Sequence, residues 1–242
     1  MDNENSYLKI TNLEKSYGNK KVISDINLEV KKSEVFGLLG PSGAGKTTLV
    51  KCVSGIDTAT KGEVYISGEI MPSFNLMKKM GYMTQSDALY EELSGYENLS
   101  FFASIYGLKG KRKSERINEV AKLVKLQDDL KKTVVNYSGG MKRRLSLAIS
   151  LLHEPELIIL DEPTVGIDPV LRKSIWDELH RLSKLGKTIL VTTHVMDEAE
   201  KCDRLGMLQN GKLIAVGSPS DLKKSTNSNT LEDVFLKFGG IE

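Results

Sequence analysis

One run of eight residues limits the possible folds more than any other part of this chain. Gly40-Pro41-Ser42-Gly43-Ala44-Gly45-Lys46-Thr47 fits G-x-x-x-x-G-K-[ST] at every fixed position. Glycines at this spacing let the backbone curl so that successive N–H groups point inward at phosphate oxygens. Lys46 can then reach β- and γ-phosphates, and the Thr47 hydroxyl can hold Mg²⁺. The flanks agree. Val35-Phe36-Gly37-Leu38-Leu39 reads as a buried strand entering the loop, and Thr48-Leu49-Val50 continues as a helix. That helix turns its positive end toward the same phosphates. A chance match in a glycine-rich linker is the plain alternative; strand before and helix after argue against it. The loop predicts binding of a nucleoside triphosphate.

The chain has 242 residues, room for one large domain or two lobes sharing a core. Its net charge of +2 gives no drive toward nucleic acid, and none is expected as a partner. The two cysteines, Cys52 and Cys202, are far apart, which argues for a reducing compartment and against a disulfide framework or zinc site. The first residues, Met1 to Ser6, are polar, and no apolar run approaches the ~20 residues needed to cross a bilayer. These features predict a cytoplasmic chain whose membrane role would depend on a separate partner.

Periodicity divides the chain. Ile26-Asn27-Leu28-Glu29-Val30 alternates as a strand with one wet face, and Val64-Tyr65-Ile66 reads as another short strand. Both predict a small antiparallel sheet wrapped around the strand that enters the phosphate loop. From about residue 89 to 154 helical spacing takes over. Ser94 and Glu97 have capping-box spacing, and Leu99, Phe102, Ala103 and Tyr106 follow at helical intervals. Ile117, Val120, Ala121 and Val124, then Leu145, Ala148, Ile149 and Leu152, repeat the pattern. After that, Leu157-Ile158-Ile159-Leu160 is an apolar strand of the kind buried on both faces. Asp168-Pro169 opens a helix with inner stripe Leu171, Ile175, Leu179 and Leu182, ended by Gly186. Residues 188–192 form the next strand, and Asn210-Gly211 marks a hairpin. A polar linker over 225–230 leads to an amphipathic tail with Leu231, Val234, Phe235 and Phe238. The boundaries expected are a core of 1–88 and 155–222, a helical insert of 89–154, and a tail of 223–242. The basic stretch Lys109, Lys111, Arg112, Lys113 and Arg116 reads as a solvated helix start, with anionic lipid or an acidic loop as the minority reading.

Further chemistry follows the apolar strand. Asp161-Glu162 places two carboxylates at its end. Phosphoryl transfer needs one carboxylate near Mg²⁺ and a second group to orient or deprotonate water, roles that suit Asp161 and Glu162 in turn. Ser138-Gly139-Gly140 is a second glycine-rich helix start, thus a second candidate phosphate site or an ordinary capped helix. His194, after the strand Val191-Thr192-Thr193, would by itself be a structural histidine.

In order along the chain these motifs resemble the ATP-binding cassette (ABC) family, the nucleotide-binding domains of ABC transporters. The likeness extends to Gln85 in Tyr82-Met83-Thr84-Gln85, to the signature-like Tyr137-Ser138-Gly139-Gly140-Met141, to Gly166-Ile167-Asp168-Pro169, and to Tyr17 as the aromatic that stacks on adenine. It covers essentially the whole chain. It implies an α/β phosphate-loop NTPase fold: a mainly parallel core sheet, an N-terminal antiparallel β-subdomain and an inserted helical subdomain. It implies nucleotide contacts at Tyr17, residues 40–48 (Gly40, Pro41, Ser42, Gly43, Ala44, Gly45, Lys46, Thr47, Thr48), and Ser138, Gly139 and Gly140. It implies Mg²⁺ at Thr47, Gln85 and Asp161, and catalytic roles for Glu162, His194 and Gln85, with His194 touching the γ-phosphate. Two chains would pack head to tail, each ATP lying between one chain's phosphate loop and the other's Ser138-Gly139-Gly140.

The commonest signature of the family has Leu and Gln where this chain has Tyr137 and Met141. The run Tyr-Ser-Gly-Gly-Met-Lys-Arg-Arg is instead similar to the ABC-2 exporter branch of drug, antibiotic-resistance and sodium-efflux ATPases. The longer C-terminal extension of some members of that branch does not follow here. The resulting expectation is a Mg²⁺-dependent ATPase subunit of an exporter, peripheral at the inner membrane face through a separately encoded transmembrane partner. An importer ATPase and a non-transport ABC ATPase are the alternatives. The missing Leu-Ser-Gly-Gly-Gln weighs against the first, and the lack of coiled coils or duplicated cassettes against the second.

Overall fold

A computed structural model describes residues 6–86 and 88–240. The polar residues 1–5 and the tail end, 241–242, lie outside the described residues. Two long strands, β1 (Ser6–Tyr17) and β2 (Lys20–Lys31), form an antiparallel hairpin. The alternating stretch of β2 buries Ile26, Leu28 and Val30 and leaves Asn27 and Glu29 outside, because successive side chains leave a strand on opposite faces. Next come β3 (Val35–Leu39) and α1 (Lys46–Val53), then β4 (Lys61–Ile66), which pairs with β1, and the short β5 (Glu69–Ile70). These outer strands form a four-stranded sheet in the order β2-β1-β4-β5.

That sheet does not wrap around β3, as the sequence suggested. Both edges of β3 are occupied by other strands, so the antiparallel sheet packs over it instead. Ile10, Leu13, Ile26 and Val64 share one apolar layer with Phe36 and Leu38 of β3 and Leu49 and Val50 of α1.

The second sheet organises the rest of the chain. Its members are β3, β6 (Met80–Met83), β7 (Leu157–Asp161), β8 (Thr188–Thr193), β9 (Arg204–Gln209) and β10 (Lys212–Gly217), in the order β10-β9-β3-β8-β7-β6. All pairings are parallel except β10 with β9, the hairpin at Asn210-Gly211. Every residue of β3, β7 and β8 is buried, the reason β3 and residues 157–160 of β7 read as unbroken apolar runs, while β8 buries Thr188, Thr192 and Thr193 as well. Register decides what comes next. Leu39 pairs with Thr193, Asp161 with Thr192, and Met83 with Leu160. The residues that follow these strand ends therefore emerge side by side on one edge, where ligands bind in parallel sheets.

Between β6 and β7 lie α3 (Gly95–Ile105), α4 (Gly110–Leu123) and α5 (Gly139–Leu151), packed through Leu99, Ala103, Ile117, Val120, Ala121, Leu145 and Ala148. Ser94 and Glu97 form the expected capping box on α3. Two arginines tie α4 to α5 by reciprocal capping. Arg144 donates to the carbonyls of Val124 and Lys125 at 3.1 and 2.7 Å, and Arg116 to those of Leu152 and Leu151 at 3.1 and 2.6 Å. Each satisfies carbonyls that a helix end leaves unpaired. Within the basic stretch Arg116 is thus a packing residue, and Arg112 and Lys111 pair with Glu154 and Glu115.

The remaining helices cover the sheet. The short α2 (Phe74–Met77) precedes β6. α6 (Pro169–Lys184) starts from Asp168, whose carboxylate accepts from the Leu171 N–H at 3.0 Å. α7 (Met196–Ala199) follows β8. No expected element corresponds to α8 (Pro219–Ser225), although Ser218-Pro219 repeats the cap-and-proline start seen at Asp168-Pro169. In the tail, α9 (Leu231–Gly239) buries Leu231, Val234 and Phe235, while Phe238 stays 39% exposed rather than joining the stripe.

Candidate nucleotide site

The phosphate loop leaves β3 and enters α1 without any side-chain cap. Gly45 takes the N-cap place with φ +106°, a left-handed backbone that glycine adopts without strain. A Cβ there would lie 2.7 Å from Ile23 Cδ1 and 3.2 Å from the Val22 carbonyl oxygen, so the Ile23 side chain would have to shift as well. The loop is pinned by Gly40 N to the Thr193 carbonyl at 3.3 Å and by Gly211 N to the Ala44 carbonyl at 3.0 Å.

Lys46 is 6% exposed, and its Nζ donates to the carbonyls of Gly40 and Pro41 at 2.7 and 3.0 Å. Nζ also stands 3.8 Å from Glu162 Oε1. Burial pushes the Lys46 ammonium below the usual lysine range, while the Glu162 and Asp161 carboxylates pull it back up. Glu162 Oε1 in turn lies 3.1 Å from His194 Nδ1. One carboxylate oxygen therefore links the phosphate loop of β3, the end of β7 and the segment after β8.

Glu162 holds this position on a strained backbone. Its φ of +54° is unusual outside glycine and costs about 1–3 kcal/mol. The surroundings impose it. Its N–H donates to the Thr192 carbonyl and hydroxyl oxygens, both at 3.1 Å, and its carbonyl accepts from Arg143 Nη2 at 2.6 Å and Nε at 3.1 Å. Asp161 is fully buried. Its Oδ1 accepts from the Thr192 hydroxyl, and its Oδ2 has no hydrogen-bond partner among the described residues. A buried carboxylate oxygen without a donor suits a cation.

Sequence reasoning missed Arg143. It lies on α5, 6% exposed, and besides Glu162 it donates to the carbonyls of Asp161, Thr84 and Gln85, the last two at 2.8 Å. Its guanidinium thus fastens the segments after β6 and β7 to the helical region. Two adjacent arginines follow the glycine pair, and nothing in the sequence says which one turns inward. Glu198 was missed too. It is 2% exposed and accepts from the hydroxyls of Thr164 and Thr193, which ties the segment after β7 to the segment before His194.

Two cavities meet here. One is lined by Ser42, Gly43, Gly45, Lys46, Thr47 and Thr48 together with Gln85 and Glu162. The other is lined by Ser138, Gly139 and Gly140 with the same Gln85 and Glu162. Ser138 caps α5, its hydroxyl accepting from Met141 N at 3.2 Å. The chain thus brings Lys46, Glu162, His194 and Asp161 together and leaves Ser138-Gly139-Gly140 across from the phosphate loop in a cavity of their own. Tyr17 stands at the tip of the β1–β2 hairpin, 48% exposed, its hydroxyl bonded to Asp57. The unusual Tyr137 is buried, donating to the Asp129 carbonyl at 2.9 Å and packing where a Cβ on Gly95 would collide with its hydroxyl. That departure from the commonest signature is an anchor within the helical region.

The ABC transporter family model matches residues 23–165, more than half of the chain. The chain belongs to the ABC transporter family. The linearmycin resistance ATP-binding protein LnrL of Bacillus subtilis (strain 168) is 39% identical over 237 residues, 97% of this chain and 76% of that protein. The probable multidrug ABC transporter ATP-binding protein YbhF of Escherichia coli (strain K12) is 40% identical over 93% of this chain. The chain spans only 40% of the length of YbhF. Among solved structures, a dimeric post-hydrolysis state of the ATP-binding cassette MJ0796 bound to ADP and Pi matches with a TM-score of 0.82 and 26% identity, over 87% of this chain and 98% of that one. The two-sheet architecture described above is the ABC cassette fold.

Proposed function

We propose that this chain is the ATP-binding and ATP-hydrolysing subunit of an ABC-2-like exporter. The observation that carries the proposal is the meeting of Lys46 Nζ, Glu162 Oε1 and His194 Nδ1, at 3.8 and 3.1 Å, beside the buried Asp161. The phosphate loop and the first turn of α1 bind the triphosphate, with Lys46 against its β- and γ-oxygens. Thr47, Gln85 and Asp161 would hold Mg²⁺, and the unpartnered Asp161 Oδ2 is the feature of this chain that fits it. Bound there, the ion supplies positive charge against the phosphates. Glu162 orients and deprotonates water, and His194 holds the Glu162 carboxylate and reaches toward the γ-phosphate.

The same proposal includes a head-to-tail dimer. Ser138-Gly139-Gly140 line a cavity apart from their own phosphate loop, open to a second chain's nucleotide. The dimeric MJ0796 cassette supports this arrangement by analogy. The division into a core of 1–88 and 155–222, a helical insert of 89–154 and a tail of 223–242 belongs to it as well. So does peripheral attachment to the inner membrane face through a separately encoded transmembrane partner. Among the described residues no helix is long and apolar enough to cross a membrane. The names of LnrL and YbhF, a resistance protein and a probable multidrug transporter subunit, favour export over import.

The deciding variant is Glu162→Gln. It keeps the size of the side chain and removes the base, so turnover should fall about 10²–10⁴-fold while ATP still binds. Steady-state phosphate release within a few-fold of wild type would remove Glu162 from this role.

A further inference from the structure

We propose that Asp57 is a positioning residue for the nucleotide base, holding the Tyr17 ring as a stacking platform together with Lys15. The inference rests on the reading of Tyr17 as the residue that stacks on adenine. Asp57 belongs to none of the motifs above; it lies in the loop between α1 and β4.

An exposed tyrosine at a hairpin tip turns freely about its side-chain bonds unless something holds it. Here the hydroxyl and one ring face are both engaged. The Tyr17 hydroxyl donates to one Asp57 oxygen, and the Lys15 ammonium donates to the other. Lys15 also donates to the Thr58 carbonyl at 2.7 Å and lies 4.7 Å from the centre of the Tyr17 ring. At 8% exposure a lysine needs such partners, and this one has a carboxylate, a carbonyl and a ring face. The Asp57 loop is itself fixed. Asp57 N donates to the Lys51 carbonyl at 3.1 Å, Thr60 N to the Glu14 carbonyl at 2.8 Å, and Ser16 N to Thr60 Oγ1 at 3.0 Å.

Because Lys51 belongs to α1, the bond from Asp57 N references the ring to the same helix that starts at the phosphate loop. Thr48, in the first turn of that helix, stands near the Tyr17 hydroxyl. With the ammonium on one face, the ring offers its other face to a flat aromatic group such as a nucleotide base. A ring ordered before binding costs the ligand less on arrival. None of this network touches the residues proposed to hold the triphosphate, except through Thr48.

Titrating the full chain with a non-hydrolysable ATP analogue and, separately, with inorganic tripolyphosphate separates base from phosphate binding. Asp57→Ala and Tyr17→Phe should each weaken the analogue about five-fold, the loss of one hydrogen bond. The double variant should be no weaker than either single one. Tripolyphosphate affinity should stay within about two-fold, since the network acts on the base alone. Asp57→Asn keeps an acceptor for the hydroxyl and should retain most of the affinity. Tyr17→Ala should lose about ten-fold or more, the worth of the stacked base. The inference is overturned if Asp57→Ala binds the analogue like wild type, if it weakens tripolyphosphate equally, or if the double variant is additive. Normal binding by Tyr17→Ala would instead sink the stacking reading itself. A weak Tyr17→Ala beside a normal Asp57→Ala would sink only the role of Asp57.

Discussion

The chain has two glycine-rich helix starts, and they are built in opposite ways. The start of α1 has no side-chain cap, a left-handed Gly45 and a lysine buried at its first position. Its backbone N–H groups are left for a ligand, and the ends of β7 and β8 stand beside it. The start of α5 is closed by its own Ser138, has an extended cap residue, and faces the segment around Gly166. Arg143, which lines the cavity beside it, is bound to main-chain carbonyls. In the proposed function the first serves as a phosphate cradle within one chain, and the second as a surface that meets a nucleotide held by another chain. Sequence similarity between two Gly-rich turns therefore says less than what surrounds each.

Substitutions at the two starts should differ accordingly, and the largest effect belongs to the first. Lys46→Ala should abolish hydrolysis and weaken ATP binding about ten- to a hundred-fold, as expected on losing a charge-assisted contact. Titration with a fluorescent ATP analogue measures it. Unchanged affinity would mean that Lys46 acts only in the transition state, or that the cradle lies elsewhere.

The second start should matter between chains. In the Glu162→Gln background, ATP without Mg²⁺ should convert monomers to dimers, because the nucleotide joins two surfaces and is not consumed. Adding Ser138→Arg should abolish that dimer and leave the ATP affinity of the monomer nearly intact. Light scattering after size exclusion reports the first property and filter binding the second. A Ser138→Arg chain that still dimerises with ATP would break the comparison.

Smaller effects refine it. Arg143→Lys keeps the charge but loses the planar fork that reaches four residues' carbonyls. Stability should fall by about 1–3 kcal/mol from the acceptors left unpaired, read as a lower Tm, and turnover should fall more than ATP affinity does. Ser138→Ala removes a helix cap and should cost about 1 kcal/mol. Ser42→Ala, in the uncapped first loop, should change stability by less than about 0.5 kcal/mol. Equal Tm shifts for the two serines would mean that the first helix start is capped after all.

Much of this was legible in the residues because it is local. The phosphate loop announces its backbone through Gly40, Gly43 and Gly45. Asp168-Pro169 announces a helix start, and Asn210-Gly211 a hairpin. The buried strand β3 and residues 157–160 of β7 are apolar throughout. Arg143 and Glu198 were not legible. A charged side chain reads as surface until a fold places carbonyls or hydroxyls against it, and those come from segments far away in sequence. Phe238 misled for the complementary reason: helical spacing reports a face, and packing decides how far that face is covered.

By itself, then, the sequence determined the phosphate loop, the family and the types of most elements, because each depends on neighbours within a few residues or on a fixed order of motifs. Only the tertiary structure decided that Lys46, Glu162 and His194 meet at one carboxylate oxygen, that Arg143 clamps two strand ends, and that Asp57 holds Tyr17. These contacts follow from the parallel register of β3, β7 and β8 and from loop packing. Such long-range pairings are set by the burial of whole faces and are written in no single stretch of residues.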